Sequence, residues 1–348
     1  MPVVDIAARS VGTGQPCFVI AEAGVNHNGD LSMALELVRA AARAKADAIK
    51  FQTFSAERLA THSAPKAAYQ ARRSDAAETQ HDMLKRLELG ADDHRVLIRE
   101  CEREGILFLS SAFDEQSADM LEDLGMAAFK VPSGEITNLT YLRHLARKGR
   151  GLIVSTGMST LDDVRAAMSA IRETADVPVV LLHCVSLYPA PPADANLRAM
   201  ETMRREFDVP VGFSDHTEGV AVALAAAALG AEALEKHLTL DRNLPGPDHA
   251  ASLEPNELKN MIEGVRAVES ALGDGVKRPV PDEAETAAVA RKSVVAAVDI
   301  PSGAEIKRDM LTVMRPGTGL PPTRLDWVVG RKARSAIPVG SVITADMV

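Results

Sequence analysis

Two lysines stand inside otherwise apolar runs, Lys50 in AIKFQT (Ala48–Thr53) and Lys130 in AFKVPS (Ala128–Ser133). A buried ammonium is costly without a partner, so each needs either an acid beside it or an anion to hold. Hydroxyls recur at the ends of similar runs, among them Ser111, Ser133, Ser155 and Ser214. Lysines ringed by Ser and Thr suit a phosphate or carboxylate where no glycine-rich loop supplies backbone donors. A structural pair with Glu22 or Glu135 is the competing expectation. His216 and His237 end two further runs. On neighbouring strands ~4.8 Å apart, two imidazoles at one height can share a metal. With oxygen ligands completing the shell they accept Mn²⁺, Mg²⁺ or Co²⁺, leaving a position for Lewis-acid work. Ordinary structural histidines are the alternative.

The elements that must position these groups alternate. Eight apolar runs are Cys17–Gly24, Ala48–Thr53, Leu107–Ala112, Ala128–Ser133, Leu152–Gly157, Val179–Ser186, Val209–His216 and Ala233–Leu238. Between them lie segments of helical period, clearest at Ser32–Lys45, Asp92–Glu104, Leu161–Glu173, Gly219–Leu229 and Pro255–Leu272, with Asp92 and Thr160 at expected N-caps. Strand then helix, eight times, predicts an α/β fold of the (β/α)₈ TIM-barrel type. An open doubly wound sheet would carry a Gly-rich phosphate turn after an early strand, and none is present. Barrel chemistry sits at the C-terminal strand ends, which offer Glu22, Lys50, Gln52, Ser111, Lys130, Ser133, Glu135, Ser155, His183, Ser186, Tyr188, Ser214, His216, Glu235 and His237. Lys236 alternates with His237 and should face the helices instead. Thr53 to Gly90 is too long for a plain connection and reads as a lid or dimer contact. The predicted domains are a barrel over 1–272, a linker over 273–290 and a small, mostly β module over 291–348. That module is too small to be stable alone and should pack on something larger.

Composition narrows the function. Of 348 residues, 46% are hydrophobic and 25% charged, as in a globular chain, and the net charge of −9 argues against a nucleic-acid partner. Cys17, Cys101 and Cys184 form no CxxC pair. Neither a membrane-length apolar run nor a signal-peptide pattern occurs, so a cytoplasmic protein is expected.

Motifs over essentially the whole chain resemble one family, the sialic acid synthases and their legionaminic and pseudaminic relatives. They are AEAGVNHNG (Ala21–Gly29), KFQT (Lys50–Thr53), KVPSGE (Lys130–Glu135), STGM (Ser155–Met158), LHC (Leu182–Cys184), Tyr188-Pro189, SDHT (Ser214–Thr217), EKH (Glu235–His237) and Gly246-Pro247-Asp248. MRPGTG (Met314–Gly319) resembles the antifreeze-like SAF domain that closes these enzymes.

The resemblance implies a transferase that condenses phosphoenolpyruvate with an open-chain N-acetylated hexosamine and water, releasing phosphate. N-acetylmannosamine, giving N-acetylneuraminate, is the expected sugar. A 6-deoxy-2,4-diacetamido mannose, giving N,N'-diacetyllegionaminate, is the alternative. A pseudaminate synthase and a Schiff-base aldolase follow behind. By the same resemblance Lys50 and Lys130 hold phosphoenolpyruvate, and Ser111, Ser133, Ser155 and Ser214 add phosphate contacts. His216 and His237 bind the metal, usually Mn²⁺ or Mg²⁺. Glu22, Gln52, Tyr188, Asp248 and Arg315 meet the sugar, and Glu22 or Glu135 is acid or base. Arg315 is implied to act on the partner barrel of a domain-swapped homodimer. One departure stands out: Ser186 replaces the Asn that N-acetylneuraminate synthases carry.

Overall fold

The computed structural model describes residues 2–7, 9–67, 70 and 78–348. Eight parallel strands close into a barrel: β3 (Phe18–Gly24), β4 (Ala48–Thr53), β5 (Leu107–Ala112), β6 (Ala128–Val131), β7 (Gly151–Ser155), β8 (Val179–Cys184), β9 (Val211–Asp215) and β10 (Ala233–His237). They follow one another in chain order, and β10 pairs with β3 to close the ring. These are the eight apolar runs of the sequence, with ends trimmed by up to two residues or, at β7, begun one earlier.

The runs are apolar throughout because both strand faces are buried. Outward residues such as Val19, Phe51, Phe129, Val154 and Phe213 pack on helix residues Leu37, Leu97, Leu142, Ile171 and Met261. Inward residues near the strand starts, Phe18, Ile20, Leu109, Ile153 and Leu182, form a second apolar cluster. Ile6 and Val11 complete that cluster from a hairpin the sequence reading did not anticipate, β1 (Val3–Ile6) with β2 (Arg9–Gly12). The hairpin stops the N-terminal end with hydrocarbon, which leaves polar groups to the C-terminal end.

The helices obey local signals. Leu161–Arg172 starts at Thr160, whose hydroxyl accepts from Asp163 N while the Asp163 carboxylate accepts from Thr160 N. Ala91–Glu104 starts two residues earlier than Asp92 would allow as a cap. Gly90 is the N-cap, its N–H donating to Asp93, and Asp92 sits in the first turn. Among the described residues, the long connection after β4 carries two short helices, Ala56–Leu59 and Gln80–Leu87. Its central part, 68–69 and 71–77, lies outside the described residues.

The chain divides into two compact units, 1–273 and 274–348. The second pairs β11 (Ser293–Ala296) with β12 (Leu311–Met314) around a core of Val294, Ile300, Ile306, Val328 and Ile343. The segment read as a linker is not all loop. Glu283–Ala290 is a helix, because EAETAAVA is rich in Ala and places Glu in the first turn. Among the described residues no helix is long and apolar enough to cross a membrane.

Candidate active site

Alternation along β10 turns Glu235 and His237 inward and Lys236 outward. The same rule, applied round the ring, sends Glu22, Lys50, Ser111, Lys130 and Ser214 into one cavity of about 470 Å³ at the C-terminal end. Register sets the neighbours: Glu22 lies opposite both His237 and Lys50, Ser111 opposite Lys130, and Glu235 opposite Ser214. Loop residues Ser133, Glu135, Ser186, Tyr188 and Asp248 line the same cavity, as do Gln52 and Ser155. The strand-end residues offered by the sequence therefore line one space, His183 excepted. Arg315 belongs to the second unit, exposed at the end of β12.

The floor is a knot of opposed charges. Lys50 Nζ is 2.5 Å from Glu22 and 3.8 Å from Glu235, and it donates to Ser111 Oγ at 3.0 Å. Lys130 Nζ reaches Glu235 and the Val131 carbonyl only at 3.5 Å each. Ser214 donates to Glu235 at 2.9 Å, and Gln52 donates to Glu22 at 3.2 Å. Burial tends to raise Glu235, but Lys130 and Lys50 outweigh it and hold the carboxyl down at about 2. Burial raises Glu22 to about 7, with Lys50 opposing. Burial also lowers Lys130. With Glu235 ionised and Glu22 protonated, two lysines face one fixed anion, so below neutral pH the floor carries a positive excess.

Glu235 is the group to which the sequence reading gave no role. It stands two residues before His237 on an inward-facing period, and that was the available signal.

Beside the knot, Ser155 Oγ is buried without a hydrogen-bond partner. Ser133 Oγ accepts from Gly157 N at 3.0 Å. Only glycine fits there, since a Cβ on residue 157 would lie 2.2 Å from Ser186 Oγ and 2.8 Å from Ser133 Oγ. An unmatched hydroxyl and a loosely held ammonium cost stability, and an anion with several acceptor oxygens would satisfy them.

The two histidines meet on the other side. Their ring centroids are 5.4 Å apart, with Tyr188 4.2 Å from His216 and 5.6 Å from His237. His216 Nδ1 lies 2.7 Å from the Val185 carbonyl, an arrangement that leaves Nε2 as the lone-pair nitrogen. His237 Nδ1 is buried with no hydrogen bond and stands 3.7 Å from Asp248. Burial lowers both imidazoles, so they are neutral at pH 7. Neutral rings beside a carboxylate, one with Nδ1 unpaired and the other with Nε2 held only by a 3.4 Å contact to Ser214 Oγ, fit a divalent cation. Burial likewise raises Asp248 to about 6, opposed by Lys50.

The remaining wall is largely apolar, with Gln70 and Gln80 on it. Leu59, Met83, Leu84, Leu87 and Phe113 come from the connection after β4 and the end of β5. They belong to a small cluster with Val25 and Phe54.

His183, offered by the sixth strand, turns away and bonds the Ala195 carbonyl at 2.8 Å. A separate group, Glu57, His62 and His81, brings three ligand atoms together outside the mouth.

Comparison with known proteins agrees with this architecture. Residues 37–277 match the NeuB family and residues 291–348 match the SAF domain. An N,N'-diacetyllegionaminic acid synthase of Legionella pneumophila is 46% identical over 95% of this chain and 94% of its own length. The N-acetylneuraminate-9-phosphate synthase of Homo sapiens is 38% identical over 98% and 95%. A crystal structure of the N-acetylneuraminic acid synthetase of Leptospira borgpetersenii superposes with a TM-score of 0.72 at 34% identity, covering 82% of this chain and 95% of that one. The chain is therefore an enzyme of the NeuB family whose barrel is followed in sequence by a SAF domain.

Proposed function

We propose that the enzyme condenses phosphoenolpyruvate with a 6-deoxy-2,4-diacetamido mannose-type sugar to give an N,N'-diacetyllegionaminate-type acid. This departs from the sequence expectation of N-acetylmannosamine. The observation that carries it is the hydrocarbon wall of Leu59, Met83, Leu84, Leu87 and Phe113 across from the polar floor. A sugar ending in methyl loses little by facing such a wall, whereas a hydroxymethyl must give up water. The higher identity to the legionaminic acid synthase supports the same choice.

Lys50 and Lys130 hold the phosphate and carboxylate of phosphoenolpyruvate, with Ser111, Ser133, Ser155 and Ser214 as neutral donors. Gln52, Ser186, Tyr188 and Asp248 orient the sugar. His216 and His237 would hold a divalent cation, Mn²⁺ in preference to Mg²⁺ or Co²⁺, which supplies polarisation of the aldehyde when bound. C3 of phosphoenolpyruvate forms the new bond to the aldehyde carbon, whose oxygen takes a proton. Water adds at C2 and gives up a proton, and the C2–O bond to phosphate then breaks to leave the 2-keto acid. Glu22, buried and protonated near neutrality, delivers the first proton. Glu135, half-buried and held by Asn138 at 2.8 Å, accepts one at the rim. In a homodimer the SAF domain of one chain caps the barrel mouth of the other, bringing Arg315 to the sugar. The resemblance of MRPGTG supports that arrangement.

The test is phosphate release with N-acetylmannosamine, the 6-deoxy-2,4-diacetamido mannose and its altrose-type isomer. The 6-deoxy sugar should lead N-acetylmannosamine in kcat/KM by about ten- to a hundredfold, the range an apolar pocket gives against an added hydroxyl. Preference for N-acetylmannosamine would return the reading to neuraminate. A lowered Lys130 also suits a Schiff base, and borohydride trapping with pyruvate would reveal one.

A further inference from the structure

The wall that faces the sugar is built from two short helices joined by a long connection, and three side chains meet where those helices meet. Glu57 lies on Ala56–Leu59, His62 three residues beyond that helix, and His81 on Gln80–Leu87. One ligand atom from each lies within 4.8 Å of the others. Glu57 Oε2 is 3.4 Å from His81 Nε2 and 3.8 Å from His62 Nε2, and the two rings are 4.2 Å apart. Ligands about 2.0 Å from a tetrahedral zinc are separated by about 3.3 Å, so small side-chain rotations close this group on an ion.

A second observation points to a ligand. His81 is buried, with 8% of its side chain exposed, yet among the described residues neither ring nitrogen has a hydrogen-bond partner. Water-excluded imidazoles are normally paired. Asp82 Oδ1 stands 3.7 Å from Nδ1, on the side where a carboxylate would fix the tautomer that leaves Nε2 as the metal-facing nitrogen. None of these residues lines the barrel cavity, so the group is separate from His216 and His237.

We propose that Glu57, His62 and His81 form a second metal site, of the zinc type with water as fourth ligand, that clamps the sugar-facing wall. Two imidazoles and one carboxylate, with water in the fourth position, are a donor set that zinc accepts. The clamp ties Leu59 to Met83, Leu84 and Leu87, which share its two helices and line the cavity. Metal there holds the wall in register without touching substrate.

The experiment uses the full chain, stripped with chelator and titrated with Zn²⁺ against a chromophoric competitor. His62 is 81% exposed, so His62→Ala leaves packing alone. It should bind one equivalent fewer than wild type, and Glu57→Gln should do the same. A His216→Ala, His237→Ala chain should keep one equivalent, and adding His62→Ala should remove it. Amide exchange over 56–59 and 80–87 should slow about a hundredfold when free Zn²⁺ is a hundred times its Kd, in wild type and not in His62→Ala. Equal zinc content and equal exchange in wild type and His62→Ala would overturn the proposal, with the barrel site unaffected by that result.

Discussion

Lys130 and Lys236 are both buried lysines on barrel strands with an acid within 4 Å, and they differ in the face of the sheet they occupy. Lys236 points outward, 2.8 Å from Asp215 and donating to the Thr217 carbonyl at 2.5 Å, while the other Asp215 oxygen accepts from Thr217 N and Oγ1. Every polar atom of that pair is used. Lys130 points inward to contacts no shorter than 3.5 Å, beside a serine with no partner. Composition does not separate the two lysines; strand alternation and register do. A closed pair leaves nothing for a ligand to satisfy, whereas an open one has unused donors that an anion can satisfy.

The largest effect should come from breaking the closed pair. Lys236→Met leaves Asp215 charged and uncompensated, a loss of about 3–5 kcal/mol in urea unfolding. A wild-type midpoint would show that the outer pair is not structural. Next is Lys130→Met, which should lower kcat/KM for phosphoenolpyruvate by about 10²–10³, or ~3–4 kcal/mol, with stability held or improved. If it unfolds the barrel and spares turnover, the two lysines are alike and the contrast fails.

Glu22→Gln sharpens the contrast by pH. The Glu22 carboxyl is raised from 4.5 to about 7, so its contribution to stability is present below pH 4.5 and lost as pH rises through 7. The variant should gain on wild type by about 3 kcal/mol across that window, read as the difference between their unfolding free energies. A flat difference would mean that Glu22 is ionised and paired, as Asp215 is by geometry.

The smallest effect tests whether the open set draws a cation from a second chain. Arg315→Ala should raise KM for the sugar by about tenfold or more, the worth of one charged hydrogen bond. Mixing Arg315→Ala with Lys130→Ala chains should restore activity, because one site of each heterodimer is then intact. No recovery after subunit exchange would place the arginine in its own chain's site or nowhere near one.

Legibility in the sequence followed burial. Strands buried on both faces, such as VVLLHC of β8, stand out as unbroken apolar runs, and the barrel could be read from them. The hairpin at Val3–Ile6 and Arg9–Gly12 could not, because only Ile6, Val11 and Gly12 are buried in it and the remainder reads as loop. The inward lysines and histidines were legible because a charged or polar residue in an apolar run demands an explanation. Glu235 was passed over because its meaning lies in Lys50 and Lys130, which are far away in sequence. Glu57, His62 and His81 were hidden for the same reason, being spread over a connection whose fold no periodicity announces.

The pairing of His237 with Glu22 has a kinetic consequence. These neighbours are brought together only when the last barrel strand seats against the first, at the end of a closure spanning most of the barrel. Contacts between such distant positions form late, after the loop entropy of the intervening chain has been overcome. A nascent chain lacking β10 has neither His237 nor Glu235, and its two inner lysines have only Glu22 between them. Partly synthesised chains should therefore be chemically silent, and catalysis should appear in one step with ring closure.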